Sequence, residues 1–225
     1  MQGHVSILSV SPEAAAMIAS GGRISTMDGT ADEIYANSLS AGQEKNEKLI
    51  GKVLSSGHTS VLEHCYVNLS FENVSVLAEQ FLIEFRLASF TVKSRRYVDF
   101  SKAGYVSPVF TDNVQMAIFE RTVESLFGTY DVLEAAGVPK EDARFVLPYC
   151  FCSNFFCSMN ARELVHVMNE LAYGRGSRIP ELRALGESLF AQCEQQIPFL
   201  AVRKPEAYRQ SDAFCLRQVQ LLTSK

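Results

Sequence analysis

Residues 66–88 read YVNLSFENVSVLAEQFLIEFRLA, and the spacing of the apolar residues changes in the middle of this stretch. Between 66 and 74, Val67, Leu69 and Phe71 alternate with polar neighbours, which is the period of a half-buried β-strand. Between 75 and 88 most residues are apolar, and the length suits a largely buried α-helix. A strand that leads directly into a helix indicates an α/β protein.

The same rules predict further strands and helices on both sides of this stretch. A strand is expected at 4–10, and helices are expected at 12–20, 43–56, 113–136, 139–148, 160–174 and from Pro180 onward. Gly21-Gly22 and Gly57 are expected to end the first two helices. No repeat or linker is visible, so we expect one domain over residues 1–200 with a mixed sheet and long helices. The tail at 201–225 is expected to be helical or partly disordered.

Composition limits the class of protein. The chain has 225 residues, 47% of them hydrophobic and 20% charged, which is typical of a globular protein with a sizeable core. Its formal net charge of -4 argues against binding to DNA or RNA, because nucleic-acid-binding domains are usually basic. The N-terminus lacks the pattern of a signal peptide, and no apolar run reaches the roughly 20 residues that span a bilayer. We therefore expect a cytoplasmic protein without membrane contact.

The six cysteines are Cys65, Cys150, Cys152, Cys157, Cys193 and Cys215. Three of them fall in the segment CFCSNFFC at 150–157, whose spacing differs from the C-x-x-C pairs of zinc sites. Cysteines of a cytosolic chain are mostly reduced, and the aromatic neighbours favour buried packing. We therefore expect no metal site, and a metal-binding module built on these three cysteines is the weakest functional alternative.

A cluster of cations lies in residues 84–97, EFRLASFTVKSRRY. Its charged and hydroxyl-bearing members include Arg86, Ser89, Thr91, Lys93, Ser94, Arg95 and Arg96. One interpretation is a solvated basic face, which is the usual meaning of a local run of charge. The other is an anion site in which guanidinium groups and hydroxyls hold a phosphate.

Two other stretches help to choose between these interpretations. They are GHTSVLEH at 57–64 and VLPYCFCSNFFCSMNARELVH at 146–166. Together with FRLASFTVKSRRY at 85–97, and in this order, they resemble the flavin-dependent thymidylate synthase family over residues 20–200. The resemblance implies an α/β enzyme that methylates dUMP at C5, with methylenetetrahydrofolate as carbon donor and FAD as carrier of reducing equivalents from NADPH. It also implies a homotetramer with sites between subunits.

The resemblance assigns roles to individual residues. Arg86 matches the third arginine of the family's Arg-His-Arg motif and Ser94 follows it at the family's spacing, so these two are the candidate catalytic residues. The candidate substrate-binding residues are Ser94, Arg96, Arg144, Arg175 and Arg178. The candidate cofactor-binding residues are His58, Ser60, Glu63, Arg86, Asn160, Arg162 and His166. The basic cluster is thus interpreted as a phosphate clamp.

Some of the cations and flavin candidates also have purely structural interpretations. Lys93 and Arg95 are expected to point away from the clamp, because alternate side chains of an extended segment face opposite directions. They then either bind the other phosphates of the flavin or face water, and water is the favoured alternative. Glu63 lies three residues after Ser60, which is the spacing of a capping box. Arg162 also has a structural interpretation, an ion pair with Glu163 or Glu170 on the surface of its helix.

The sequence departs from the family's pattern at several positions. Glu84-Phe85 replaces the first arginine and the histidine of Arg-His-Arg. His166 stands where the family commonly has asparagine, and it also suits a hydrogen-bonded core histidine. Leu171 stands where the family has an arginine that contacts the pyrimidine, so Arg175 or Arg178 is expected to reach back and replace that cation.

These departures leave three functions open. The first is flavin-dependent methylation of dUMP, or of another pyrimidine nucleotide such as UMP. The second is a non-catalytic paralogue that binds nucleotide or flavin and assembles with an active subunit. The third is the metal-binding module. Because a fold can persist after its reactive contacts are lost, fold alone does not decide among them.

Overall fold

The computed structural model describes residues 3–208, which form helices packed with one four-stranded sheet. The strands are β1 (His4–Val10), β2 (Tyr66–Ser75), β3 (Ala88–Val92) and β4 (Cys152–Asn160). The helices are α1 (Ala14–Arg23), α2 (Ala31–Ala41), α3 (Gln43–Ser55), α4 (Val76–Ile83), α5 (Asn113–Ala135), α6 (Lys140–Ala143), α7 (Ala161–Ala172) and α8 (Pro180–Gln196). Short 3-10 helices lie at Ser60–His64, Arg144–Val146, Arg175–Arg178 and Pro198–Leu200. The predicted α/β class is confirmed.

The strands follow the order β1-β2-β4-β3 in the sheet. Ser11, just after β1, donates its backbone N–H to Tyr66 at the start of β2, whereas His4 at the start of β1 contacts Glu72 near the end of β2. These two strands are therefore antiparallel. The backbone N–H of Lys93, just after β3, donates to the carbonyl oxygen of Asn154 near the start of β4. The end of β3 therefore lies beside the start of β4, so these neighbouring strands are antiparallel.

The pairing of β2 with β4 is also antiparallel. Asn73 near the end of β2 hydrogen-bonds Asn154 near the start of β4, and Asn68 hydrogen-bonds Ser158 further along. The expectation of a mixed sheet is thus wrong in this detail. The residues of β2 suit an antiparallel sheet with one covered face, because buried Val67, Leu69 and Phe71 alternate with exposed Asn68 and Glu72.

The described residues divide into two compact units. Unit one comprises residues 3–5, 70–84 and 90–156, and unit two comprises residues 6–69, 85–89 and 157–208. Single-domain organisation over residues 1–200 stays a prediction. Most of the expected tail, residues 209–225, lies outside the described residues. Within residues 3–208 no helix has the length and apolar character needed to cross a membrane.

Each unit has its own apolar core. In unit one the core consists of Val76, Phe100, Tyr130, Ala143, Leu147 and Phe151. In unit two α7 packs against α8, with Leu164, Leu171, Leu182 and Leu189 fully buried. The amphipathic helix α7 thus buries its apolar face against α8.

Several boundaries differ from the predictions. Helix α1 continues through Gly21-Gly22 to Arg23. Glycine at position 21 serves packing instead, because a Cβ there would lie 3.2 Å from the His64 ring. Helix α4 ends at Ile83, five residues earlier than predicted, so Arg86 lies in an exposed turn rather than in a buried helix. Helix α2 was not predicted, although Thr30 and Glu33 form a capping box that marks its start.

Candidate functional site

Residues 94–98 of unit one form a tight turn. The backbone N–H of Val98 donates to the carbonyl oxygen of Ser94 (3.1 Å), and the N–H of Arg96 donates to the Ser94 hydroxyl oxygen (3.3 Å). The hydroxyl therefore helps to close the turn. Because the segment turns, the side chains of consecutive residues are not governed by the alternation of an extended strand.

Arg96 and Arg144 meet at a single residue, Glu141. Arg96 donates from Nε to Glu141 Oε2 (2.7 Å), and Arg144 donates from Nε to the Glu141 backbone oxygen (2.9 Å). The Arg96 side chain is 59% exposed, so its guanidinium is accessible to a ligand from solvent. Arg96 and Arg144 of unit one, which the family resemblance assigns to the nucleotide, thus both hydrogen-bond Glu141, the first at its carboxylate and the second at its backbone oxygen.

The two other cations of the cluster behave differently from each other. Lys93 is exposed, as expected, and its ammonium lies 5.9 Å from the centroid of the Phe100 ring. The expectation that Arg95 faces water is wrong, because its side chain is only 18% exposed and pairs with Glu79. The cause is the turn at 94–98, which points the Arg95 side chain toward the buried Glu79 in the interior of unit one.

Unit two contains a cavity of about 870 Å³. It is lined by α3, the 3-10 helix at 60–64, Leu87, α7 and residues 198–208, and most of its surface is apolar. Its polar lining comes from residues that include Glu47, Arg162, Glu163, His166, Lys204 and Tyr208. Two candidate flavin residues, Arg162 and His166, therefore line the same cavity.

The remaining contacts of Arg162 explain how α7 presents it. Asn160 is the N-cap of α7, since its side-chain oxygen accepts the Glu163 N–H at 2.9 Å. Arg162, in the first turn, forms an ion pair with Glu63 rather than with a carboxylate of its own helix. Glu63 thus faces Arg162, and its alternative as a capping partner of Ser60 is not supported, because Thr59 occupies the N-cap position and makes no side-chain cap bond.

His166 is exposed, so its interpretation as a core histidine is wrong. Its Nδ1 lies 2.7 Å from the Tyr208 hydroxyl, and the Phe85 ring packs edge-on against the imidazole with 5.5 Å between centroids. Burial, with the nearby carboxylates, raises the pKa of Tyr208 to about 12, so the phenol stays protonated at neutral pH. Phe85, which replaces the family's histidine, thereby helps to orient another histidine.

The other candidate residues of unit two do not appear in the lining of this cavity. His58 and Ser60 are exposed at the start of the 3-10 helix at 60–64, and Arg86 is exposed in the turn after α4. Arg175 lies in the 3-10 helix after α7, with its Nε 3.8 Å from Glu170. Arg178 ends the same short helix and is exposed.

Within residues 3–208 no disulfide is formed, and Cys65, Cys152, Cys157 and Cys193 are buried. Burial raises the pKa of Cys157 and of Cys193 to about 12, so both remain thiols at neutral pH. Among the described residues there is no group of three side chains that could hold a metal ion.

Sequence reasoning missed Glu79, Glu141 and Tyr208. A signal existed for Glu79, because a carboxylate in the apolar helix VLAEQFLI needs a partner if it is buried. Glu141 lies three residues before Arg144, but nothing in its spacing indicates contact with Arg96, 45 residues away. Tyr208 lies in a segment without a periodic pattern, and no sequence signal indicated its contact with His166.

The fold resembles that of a solved enzyme. A UMP/dUMP methylase, PolB from Streptomyces cacaoi, crystallised with 5-Br dUMP, superimposes with a TM-score of 0.72, covering 89% of this chain and 93% of its own. At 21% identity this similarity establishes the fold alone. The fold is therefore one on which a pyrimidine nucleotide methylase is built.

Sequence comparison then gives the family. The family model described as thymidylate synthase complementing protein matches residues 6–199. The flavin-dependent thymidylate synthase of Nitratidesulfovibrio vulgaris is 31% identical over 209 residues, covering 88% of this chain and 84% of the relative. The flavin-dependent thymidylate synthase of Geobacter sulfurreducens is 34% identical over 166 residues, covering 72% of this chain and 70% of the relative. The chain belongs to the flavin-dependent thymidylate synthase family.

Proposed function

We propose that the protein methylates C5 of a pyrimidine nucleotide, converting dUMP to dTMP with methylenetetrahydrofolate as carbon donor and FAD reduced by NADPH. The observation that carries the proposal is that the accessible Arg96, in the Ser94 turn, and Arg144 both hydrogen-bond Glu141, Arg96 at its carboxylate and Arg144 at its backbone oxygen. A nucleotide phosphate carries about two negative charges near neutral pH, and guanidinium forks bind it through paired, charge-assisted hydrogen bonds. The names of the relatives support both the nucleotide and the flavin.

The nucleotide phosphate is assigned to Ser94, Arg96 and Arg144. Arg96 is accessible and is held by one carboxylate, so it exchanges Glu141 for the more highly charged phosphate at little cost. The Ser94 hydroxyl donates a further hydrogen bond. Arg86 and Ser94 remain the proposed catalytic residues, and Arg175 and Arg178 remain the proposed contacts of the pyrimidine.

The cavity of unit two suits a flavin in size and in chemistry. Its volume of about 870 Å³ lies within the range of cofactor sites, and its apolar walls exclude water from a bound ring. Arg162 supplies a cation, oriented by Glu63, and His166 supplies a ring nitrogen, oriented by Tyr208. His58, Ser60, Glu63, Arg86 and Asn160 lie outside the lining of this cavity and remain proposed flavin contacts. When bound, the flavin supplies the redox chemistry that no side chain of this chain provides.

The direct test is the visible spectrum of the purified protein, recorded before and after addition of FAD and then of dUMP. We expect flavin absorbance that remains with the protein after gel filtration and changes when dUMP is added. Formation of dTMP in the presence of NADPH and methylenetetrahydrofolate then tests the reaction itself. Absence of bound flavin with FAD and dUMP in excess would overturn the proposal.

UMP is the second candidate substrate. The observation that favours it is the similarity of fold to a UMP/dUMP methylase, together with a chain that departs from the family at Glu84-Phe85 and Leu171. Assays with dUMP and UMP at equal concentration distinguish the two, because a site that accepts the 2′-hydroxyl gives product from both.

A non-catalytic role beside an active subunit is favoured by one contact. Phe85 stands where the motif has a histidine and packs against His166, so a polar group of the hallmark motif is replaced by a buried apolar ring. Co-purification with an intact homologue, and no turnover by this chain alone, would support that role. The proposed assembly of the active form is a homotetramer in the cytoplasm, to be checked by light scattering and by fractionation.

Glu141→Gln is expected to tighten dUMP binding. The substitution removes a negative charge that competes with the phosphate for Arg96, and an exposed ion pair of this kind contributes about 0.2–1 kcal/mol, which corresponds to a gain in affinity of roughly 1.4- to 5-fold. Isothermal titration calorimetry with dUMP measures this change in affinity. Glu124→Gln, which removes an exposed carboxylate of α5, is the matched control and should leave the affinity unchanged. Weaker binding by Glu141→Gln would show that Glu141 assists the nucleotide rather than competing with it.

A further inference from the structure

Glu79 is a buried carboxylate on α4, and its side chain is 1% exposed. Burying a charge is unfavourable unless it is paired and hydrogen-bonded. Glu79 Oε2 accepts from Arg95 Nη2 at 2.5 Å and also from the Ser153 hydroxyl of β4, while Gln80 donates to Oε1 at 3.3 Å. The carboxylate is therefore the centre of a hydrogen-bonded network within unit one.

Arg95 is the residue that this network holds, and it lies between Ser94 and Arg96 in the sequence. Its guanidinium also stacks over the Phe151 ring, with 5.2 Å from Cζ to the ring centroid. The side chain is thus restrained on two sides, by a carboxylate and by an aromatic face. Since Arg95 is the second residue of the turn at 94–98, fixing its side chain restrains the backbone that carries the Ser94 hydroxyl and the Arg96 guanidinium.

The network is not optimised for stability alone. Arg95 Nε is buried and has no hydrogen-bond partner among residues 3–208. Replacing a buried ion pair with apolar residues of similar volume is often neutral or stabilising. An ion pair that leaves one donor unsatisfied is therefore better explained by a positional requirement than by its contribution to folding.

We propose that Glu79 is a positioning residue for the anion site: through Arg95 it holds the 94–98 turn in the conformation that presents Ser94 and Arg96 to a phosphate. This inference rests on the proposed function, because it names how the nucleotide site of that function is held in place. Glu79 itself does not contact the phosphate. Its effect is to order the turn before binding, so that less conformational entropy is lost when the phosphate arrives.

The test uses the full-length protein and three variants, and a fourth, Arg95→Lys, tests rescue. Glu79→Gln keeps the shape and removes the charge, and Arg95→Met removes the cation. The double variant Glu79→Leu/Arg95→Met removes both charges and avoids an unpaired buried ion, so it keeps the fold if a single variant fails to fold. Two quantities are measured on each protein: hydrogen exchange at the amides of Arg96 and Val98, and affinity for dUMP compared with deoxyuridine, which lacks the phosphate.

We expect faster exchange at Arg96 and Val98 in all three variants, while the amides of α5 stay as protected as in the unsubstituted protein. We expect dUMP affinity to fall roughly three- to tenfold, as suits the ordering of one or two side chains, and deoxyuridine affinity to stay unchanged. Arg95→Lys, which keeps the charge, should restore part of the dUMP affinity lost in Arg95→Met. A merely structural role would lower stability but would not separate dUMP from deoxyuridine.

Other outcomes overturn specific parts of the argument. Unchanged exchange at Arg96 and Val98 overturns the inference, because Glu79 then does not hold the turn. Faster exchange with unchanged dUMP affinity also overturns it, because the turn then does not limit phosphate binding. If the unsubstituted protein binds neither dUMP nor UMP, the proposed function fails, and the exchange data still decide whether Glu79 orders the turn.

Discussion

Replacing Arg96 with alanine is expected to weaken dUMP binding by about 10- to 100-fold. A hydrogen bond to a charged group contributes about 1.5–3 kcal/mol, and Arg96 is the accessible cation that meets Arg144 at Glu141. The loss should appear in calorimetric titrations of dUMP and should shrink as salt is added, since an exposed charge is screened. Stability should change little, because the side chain lies on the surface.

Two comparisons make this result specific. Lys93→Ala removes a neighbouring exposed cation that packs near Phe100 and is not assigned to the nucleotide, so dUMP affinity should change by less than about twofold. Deoxyuridine should bind Arg96→Ala as it binds the unsubstituted protein. An equal loss for dUMP and deoxyuridine would place Arg96 at the base or sugar and contradict its assignment to the phosphate.

The elements with strong apolar periodicity were predictable from the sequence. The alternation at 66–74 and the amphipathic pattern at 43–56 correspond to β2 and α3 nearly residue for residue. The end of α4 at Ile83 was not predictable, because apolar residues continue through 84–88 alongside the two charged ones. Phe85 is buried after the helix has ended, against His166 from a distant part of the chain, and local propensity contains no information on that contact.

The sequence proposes site residues but does not reveal their partners. The family resemblance assigns Ser94, Arg96 and Arg144 to the nucleotide, which stays a prediction, and the structure adds that Arg96 and Arg144 both hydrogen-bond Glu141. The environment of Arg95 was misjudged because the rule of alternating side chains applies to an extended segment, whereas 94–98 is a turn. Ion pairs such as Arg95 with Glu79 join residues that only the fold brings together, so no spacing reveals them.

Leu171→Arg, which restores the arginine that the family carries at this position, is expected to destabilise the protein by more than about 4 kcal/mol or to prevent folding. Leu171 is fully buried between α7 and α8, and a Cβ at Gly186 of α8 would lie only 2.8 Å from the Leu171 Cβ. The two helices approach too closely to admit a guanidinium, and the charge would have no partner. Denaturant unfolding monitored by circular dichroism measures the decrease in the free energy of unfolding.

The controls separate packing from chemistry at the end of α7. Leu171→Met conserves volume and should cost less than about 1.5 kcal/mol. Arg175→Ala changes an exposed side chain near Glu170, so it should leave stability nearly intact while lowering dUMP affinity if that arginine serves the pyrimidine. A Leu171→Arg protein that unfolds at the same denaturant concentration and binds dUMP more tightly would contradict the packing of α7 on α8. With the packing as observed, position 171 does not admit a cation, so Arg175 and Arg178 stay the proposed contacts of the pyrimidine.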